Sequence, residues 1–369
     1  MKKIILQWGQ PSFSNAELKA IVKTFKSGWL TMGQKVKLFE KKMSKYINST
    51  YGIGVTNGTV ALDIALKCLN IKSKDEVILP ALSYISTATA ITYQGATPVF
   101  VDIKKNNCNI NPTEIKRAIT NKTKAIVFID YGGNPADVEE IKDISKKYKI
   151  PILHDAAQSL GLKYRNYDIG DIGDITTTSF HMAKILTTIE GGMIFTNNKN
   201  YEKKLRILRN IGENKKYHHE YLGTNARMTE LNAVIGLVQF TKLNTMLNKR
   251  LKIARRYIKN LKHQNKIVMP FKPLPFTKCS YFFFPILTKK RDKVAKRLLE
   301  IGIDTRIAYP MPIYKQGLYK MKKNIFKNFT CREAEKYCAN VINLPIFADM
   351  KIYEADMVSE SLVKILKDI

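Results

Sequence analysis

The first residue whose setting could support covalent chemistry is a lysine. Lys184 closes the run Ser179-Phe180-His181-Met182-Ala183-Lys184 and precedes Thr187-Thr188-Ile189-Glu190-Gly191-Gly192. A lysine held in a partly desolvated site gives up its proton readily and can attack a carbonyl to form a Schiff base. In a chain with 62 Lys and Arg residues, a single lysine is ordinarily a solvated surface charge. Asp155 is the second such residue, at the end of Ile150-Pro151-Ile152-Leu153-His154-Asp155 and before Ala156-Ala157-Gln158. A carboxylate there needs a cationic partner if it is buried, such as a protonated ring nitrogen, and otherwise serves to cap the next helix. The third feature is Thr56-Asn57-Gly58-Thr59, where a glycine and hydroxyl side chains at a helix start would offer free N–H groups and a favourable dipole to an anion. A simple capping turn is the competing reading. The segment fits neither G-x-x-x-x-G-K-[ST] nor G-x-G-x-x-G.

These residues sit among elements that alternate. Gly52–Val55, Glu76–Pro80, Thr97–Asp102, Lys124–Asp130 and Ile150–Asp155 are short apolar runs, most of them separated by helical patterns such as Val60–Leu69 and Asp137–Tyr148. Near-continuous Val/Ile/Leu strands linked by helices predict a mostly parallel sheet covered on both faces, with ligands beyond the carboxyl ends of its strands. Residues from Tyr201 to Lys262 read as helical. After Pro270, Tyr281–Leu287 and Asp304–Tyr309 read as strands, and Asp292–Ile301, Arg332–Ala339 and Tyr353–Leu366 as helices. The expected division is a large α/β domain over 1–245 and a smaller α+β domain over 246–369.

Composition narrows the classes. The chain has 369 residues, 45% hydrophobic and 25% charged, the values of a globular protein rather than a disordered or membrane-embedded one. Its five cysteines are scattered with no C-x-x-C pair, which argues against a structural zinc site or a disulfide framework. The apolar opening Ile4-Ile5-Leu6 stops at Gln7, short of the about 7–15 apolar residues an export signal needs, and no stretch approaches a membrane span. A cytoplasmic home with no membrane partner is expected. The formal charge of +31 raises the question of nucleic acid, but the lysines recur throughout and no helix-turn-helix or RNA-binding signature appears, so no nucleic-acid partner is expected.

The order of the three motifs, a phosphate turn, a strand-end Asp-x-x-Gln, then Ser with Lys followed by Glu-Gly-Gly, resembles the DegT/DnrJ/StrS-type sugar aminotransferases. The resemblance covers essentially the whole chain. It begins at Ser27-Gly28-Trp29-Leu30-Thr31-Met32-Gly33, takes in Pro98–Asp102 and Asn225-Ala226-Arg227-Met228-Thr229-Glu230, and reaches Tyr309-Pro310-Met311-Pro312-Ile313-Tyr314. It implies the fold-type I PLP-transferase architecture and the cofactor pyridoxal 5'-phosphate (PLP). Lys184 looks like the lysine that holds PLP covalently and shuttles the proton. Asp155 would pair with the pyridinium nitrogen, Gln158 would contact the phenolic-oxygen side, and Tyr84 would stack on the ring. Gly58, Thr59 and Ser179 would hold the phosphate, with Asn225 reaching it from a neighbouring subunit, which implies a homodimer with shared active sites. Trp29, Leu30, Thr31, Tyr309 and Tyr314 correspond to places where relatives contact the substrate.

Three positions depart from the family's commonest pattern: His154 stands where Glu is frequent, Ile185 where Asn is usual, and Ile189 where a small residue precedes Glu-Gly-Gly. His181 is read as structural rather than as a base. The implied reaction moves an amino group, with glutamate as donor, onto a nucleotide-linked keto sugar. The pattern Pro312–Gln316 with Thr187, Thr188 and Glu190 resembles enzymes of 4-keto-6-deoxy sugars, and amination of a 3-keto sugar is the alternative. A PLP-dependent sugar dehydratase is a further alternative, which the presence of Lys184 disfavours because such relatives can carry His in its place.

Overall fold

The computed structural model describes residues 5–272, 275–320 and 330–369; residues 1–4, where the apolar opening starts, lie outside the described residues. The apolar runs form the strands β1 (Tyr51–Val55), β2 (Glu76–Pro80), β3 (Thr97–Val101), β4 (Thr123–Ile129), β5 (Ile152–Asp155), β6 (Ile175–Ser179) and β7 (Gly192–Thr196). They build one sheet in the order β1-β7-β6-β5-β4-β2-β3. Only β7 runs antiparallel to its neighbours in this sheet. The sheet is therefore mostly parallel, as Val/Ile-rich strands buried on both faces require. Register places Asp155 opposite Thr177 across β5 and β6, while β6 continues to Ser179. Those strand ends form one floor.

The helices α1 (Asn15–Lys26), α2 (Gln34–Ile47), α3 (Gly58–Cys68), α4 (Ile85–Tyr93), α5 (Pro112–Ala118), α6 (Val138–Tyr148) and α7 (Lys199–Arg209) accompany this sheet. The stretch expected to be helical from Tyr201 to Lys262 is interrupted. α7 ends at Arg209, a short hairpin of β8 (Glu213–Lys215) and β9 (His218–His219) follows, and α8 (Glu230–Leu261) begins only at the Thr229 cap. The cause lies at Gly212, whose φ is +76° and where a Cβ would lie 1.7 Å from the Tyr221 carbonyl oxygen. No side chain fits that crossing, so the helix cannot continue through it.

The C-terminal part holds β10 (Phe284–Leu287), paired antiparallel with β11 (Val341–Leu344), and the helices α9 (Arg291–Glu300), α10 (Gly317–Lys320), α11 (Arg332–Asn340) and α12 (Ile352–Lys367). The run 304–309, expected as a strand, makes a single bridge through Arg306 to Asn343. Pro310, without an N–H, follows at once and cannot extend a ladder. Buried side chains gather in two clusters, and α8 feeds both: Leu243 and Met246 enter the cluster around the large sheet, while Ile253 and Tyr257 enter the one around β10 and β11.

One buried ionic knot ties α2, β1 and α7 together. Glu40 Oε1 accepts from the Gly54 N–H at 2.7 Å and from Arg209 Nη1 at 2.7 Å, and Oε2 meets Arg206 Nη1 at 3.1 Å. Arg209 Nη1 also donates to the Gly54 carbonyl at 3.0 Å. Removing one partner of such a pair leaves an uncompensated buried charge, which costs about 3–5 kcal/mol, whereas replacing both by apolar groups is far milder. Glu40→Leu should lower the urea midpoint strongly, and adding Arg209→Met should recover much of the loss. A double variant as unstable as the single one would contradict this account.

Candidate active site

A cleft of about 760 Å³ opens over the ends of β5 and β6 and the start of α3. Asp155, the last residue of β5, is 4% exposed and lines it. Its Oδ1 accepts the Ala157 N–H at 3.1 Å and its Oδ2 the Thr87 hydroxyl at 3.2 Å. Burial raises its pKa above the ordinary range; the Ala157 N–H, the charge of Lys184 and the Thr87 hydroxyl pull the other way without prevailing. This is a carboxylate whose charge is under-compensated. Beside it, the Thr177 hydroxyl is buried in the cleft wall and has no hydrogen-bond partner among the described residues.

Lys184 stands in the turn after β6, its N–H donating to the His181 carbonyl at 2.8 Å. Its Nζ lies 4.7 Å from the centroid of the Phe282 ring. Burial lowers its pKa to about 8, against the opposing charge of Asp155. A substantial fraction of neutral amine therefore exists at neutral to mildly alkaline pH, where an ordinary lysine has almost none. His181 is half outside the site: its Nδ1 accepts the Ala183 N–H at 3.2 Å, and Nε2 lies 3.7 Å from Glu190.

The start of α3 supplies an anion cradle. Asn57 is its N-cap and takes the Val60 N–H at 2.9 Å, so the first-turn N–H groups of Gly58 and Thr59 have no intrahelical acceptor and line the cleft. Ser179 closes on Gly58 so tightly that a Cβ there would lie 2.7 Å from the serine Cβ. Glycine at 58 is what permits helix start and strand end to share one small space.

Gln158 is buried beneath the cleft. Its Oε1 accepts the Gly132 N–H at 2.6 Å, and its amide contacts the Tyr309 hydroxyl. Tyr309 and Tyr84 face each other across the cleft with ring centroids 5.9 Å apart. Thus Gly58, Thr59, Tyr84, Asp155, Gln158, Ser179, Lys184 and Tyr309 come together in one cleft.

The other candidates do not enter it. Asn225 is exposed and forms a bridge with Asn210. Trp29, Leu30 and Thr31 lie at the start of α8, where the Leu30 carbonyl accepts the Glu230 N–H at 3.0 Å. Tyr314, by contrast with its expected substrate role, gives its hydroxyl to Glu335 and packs beside Phe100, 6.0 Å between centroids. Sequence reading missed Trp8 and Arg306, which wall the cleft together, the guanidinium 5.9 Å from the Trp8 ring. An arginine three residues before Tyr309, followed by the apolar Ile307 and Ala308, was the available signal.

A parallel sheet with an amine of lowered pKa, an under-compensated carboxylate and an anion cradle at one set of strand ends defines an enzyme that does carbonyl–amine chemistry with a phosphorylated cofactor. The chain belongs to the DegT/DnrJ/EryC1/StrS aminotransferase family, which it matches over residues 11–363. It is 34% identical to the GDP-perosamine synthase of Escherichia coli O157:H7, covering 97% of this chain and 98% of that protein. It is also 34% identical to the dTDP-3-amino-3,6-dideoxy-alpha-D-galactopyranose transaminase of Aneurinibacillus thermoaerophilus, over 93% of each. Among solved structures, Helicobacter pylori PseC, an aminotransferase involved in the biosynthesis of pseudoaminic acid, superposes with a TM-score of 0.92 at 27% identity, covering 99% of this chain and 100% of that one. The fold is that of the PLP aminotransferases, and PLP is the cofactor. The residues present fit it, because an uncompensated Asp155, a partly neutral Lys184, free N–H groups at α3 and the unpartnered Thr177 hydroxyl are the groups such a molecule would satisfy.

The lowered pKa gives a direct test on the cofactor-free protein. Reaction of Lys184 with a small aldehyde, trapped by borohydride and quantified on the Lys184 peptide, should rise with pH through a midpoint near 8. A midpoint above about 10, the value of an ordinary lysine, would remove the argument for activation by burial.

Proposed function

We propose that this aminotransferase moves the amino group of glutamate onto the keto carbon of a nucleotide-linked 4-keto-6-deoxy sugar, in the cytoplasm, as a step toward an amino sugar for surface polysaccharide. Glutamate becomes 2-oxoglutarate, and the sugar ketone becomes an amine, so the keto oxygen and the amino group exchange partners. The observation that carries the reading is Lys184, its pKa lowered to about 8, in the same cleft as a buried carboxylate without a fixed cation.

Within that reading each residue has one task. PLP, when bound, supplies an electron sink for the bond broken at the donor's α-carbon. Asp155 would hold its ring nitrogen protonated. Gly58, Thr59 and Ser179 would bind the phosphate through N–H and hydroxyl groups. Tyr84 would cover the ring, and Gln158 would sit at its phenolic-oxygen side. Lys184 Nζ takes the proton from the donor's α-carbon and, in the second half of the reaction, delivers one to the sugar carbon that receives nitrogen. The Tyr309 side of the cleft would receive the sugar. Residues 1–245 would form the cofactor-binding domain and 246–369 the smaller one.

The name of the Aneurinibacillus relative, with its 3-amino group, favours a second reading in which the acceptor is a 3-keto sugar. Purified protein given glutamate and a panel of dTDP-, UDP- and GDP-linked 4-keto-6-deoxy and 3-keto sugars should release 2-oxoglutarate with at least one 4-keto member. Lys184→Ala should abolish it. Release with 3-keto sugars alone would move the reaction to the second reading, and no release with any member would sink both.

Asn225 is exposed and lies outside its own chain's cleft, which supports the reading of a shared-site homodimer in which its side chain would reach the neighbour's phosphate. Lys184→Ala and Asn225→Asp, each inactive alone, should regain about a quarter of wild-type activity when co-expressed, because random pairing leaves one intact composite site in half of the dimers. No recovery would rule out sharing through Asn225.

A further inference from the structure

A pocket of about 660 Å³ opens between the loop after β3, the segment 265–268, the end of β10 and α11, and it shares no lining residue with the cleft. Its floor is apolar. Ile103 and Tyr337 belong to the cluster around the large sheet and Leu366 to the one around β10 and β11, while Leu287, Val268 and Ile369 between them are left partly open. The hollow lies where the two cores do not meet. Val268 is 57% exposed, although its N–H and carbonyl are both paired with Leu287, at 2.9 Å and 2.8 Å. The backbone thus holds an apolar side chain in the open, where each Å² that a bound molecule covered would be worth about 25 cal/mol.

The rim is cationic. Lys105, Lys266, Lys289, Lys290 and Lys336 line the pocket against one carboxylate side chain, Glu333. Two of these lysines are engaged: Lys336 Nζ lies 2.9 Å from Glu333, and Lys266 Nζ donates to the Leu366 carbonyl at 2.6 Å and lies 3.4 Å from the Ile369 oxygen. Lys105, Lys289 and Lys290 pair with no carboxylate among the described residues. Lysines are common in this chain, and what sets these three apart is the apolar hollow beside them. A lysine stem can lie along such a wall while its ammonium stays in water. A space within about 300–1,000 Å³, apolar inside and with a few polar groups to fix orientation, has the form of a small-molecule site.

We propose that this pocket binds an amphipathic anion, a molecule whose apolar body fills the hollow and whose carboxylate or phosphate head lies among Lys105, Lys289 and Lys290. The inference is independent of the amino-transfer reading, since no residue of the cleft takes part. Exposed lysines alone attract any anion, and only weakly, because water and salt screen them. An apolar floor alone holds an oily molecule without regard to its charge. The two side by side select a molecule that has both. A nucleotide-linked sugar, which carries hydroxyls or charge along most of its length, is a poor match for Val268, Leu287 and Leu366, so the ligand belongs to a different chemical class from the substrate of the cleft.

Calorimetry on PLP-loaded protein tests the pocket, with decyl phosphate and decanoate, each below its micelle concentration, as probes. At least one should bind and raise the melting temperature; which of them binds more tightly reads whether the head is phosphate or carboxylate, and either upholds the proposal. Inorganic phosphate and decanol carry one half of the ligand each and should bind at least about tenfold more weakly. Val268→Asp places a carboxylate on the floor and should weaken the bound probe by about 10–100-fold, the scale of one buried apolar side chain. The PLP absorbance band and the melting temperature of that variant without probe should stay those of the wild type. Lys289→Gln combined with Lys290→Gln should weaken the probe by about 3–30-fold, a difference that high salt erases. Affinity unchanged in Val268→Asp would put the probe elsewhere, and decanol or inorganic phosphate binding as tightly as the probe would strip the ligand of one half; either result overturns the proposal, as does no binding of both probes. Protein that adsorbs to anionic vesicles yet binds neither free probe would be displaying its surface charge, and the pocket would be without its ligand.

Discussion

The site is organised around a carboxylate that the protein buries without giving it a fixed cation. Asp155 has one N–H and one hydroxyl, and its nearest positive group is a lysine that burial itself discourages from being charged. Attraction between the two pulls each toward ionisation, and burial pushes each toward neutrality. In both residues burial prevails. On the proposed reading, a cationic ring nitrogen against Asp155 would shift that balance: the carboxylate would gain a partner, and the lysine would be left free to act as amine and proton carrier. Cofactor preference and lysine reactivity would then follow from the same desolvation.

Holding Asp155 in that position falls to a polar layer on the other face of the strand. Side chains alternate along β5, so His154 points away from the cleft. Its Nε2 pairs with Asp130 Oδ2 at 2.7 Å, its ring stacks on Phe128 at 4.7 Å, and both members of the pair are fully buried. Burial would raise Asp130, but His154, Ser159 and Tyr164 together hold it below the usual carboxylate range. Asp130 also takes the Ala136 N–H at 3.0 Å, fixing the loop after β4. The histidine at 154 therefore locks two strand ends together beneath the site, which accounts for a departure from the family pattern that leaves the cleft unchanged. Ile189 is a different case. It sits at φ +72°, a conformation costly for a branched residue, next to the Glu190-Gly191-Gly192 turn where a smaller residue would relax it.

Much of the fold was legible because the strands are buried on both faces and so write themselves as Val/Ile/Leu runs; β2 was read to the residue and β3 to β5 within two. The hairpin at 213–219 was not, since Glu213–Lys215 and His218–His219 carry no apolar alternation and are defined by a glycine crossing. The grouping of Lys184, Asp155 and Gly58 was readable from motif order, as strand ends in a parallel sheet share one side. Arg306 and Trp8 were not, because each arrives from a segment whose position depends on packing between distant parts of the chain. Tyr314 shows the converse: its place beside Tyr309 in sequence says nothing of Glu335, 21 residues on, which takes its hydroxyl.

The net charge of +31 takes a different meaning once the cleft is described. Its walls carry one fixed cation, Arg306, the amine of Lys184 with its lowered pKa, and two carboxylates, Asp155 and Glu190. The surplus thus lies elsewhere, on faces where salt screens each charge over about 8 Å at physiological ionic strength. A diffuse positive surface speeds the approach of an anionic substrate, yet it cannot tell one anion from another. Discrimination requires groups fixed inside the cleft, at set distances from whatever is bound there. Lysines scattered over the surface hold no fixed distance to the cleft, so what they offer is speed of encounter, and the task of telling anions apart falls to the few polar groups that line it.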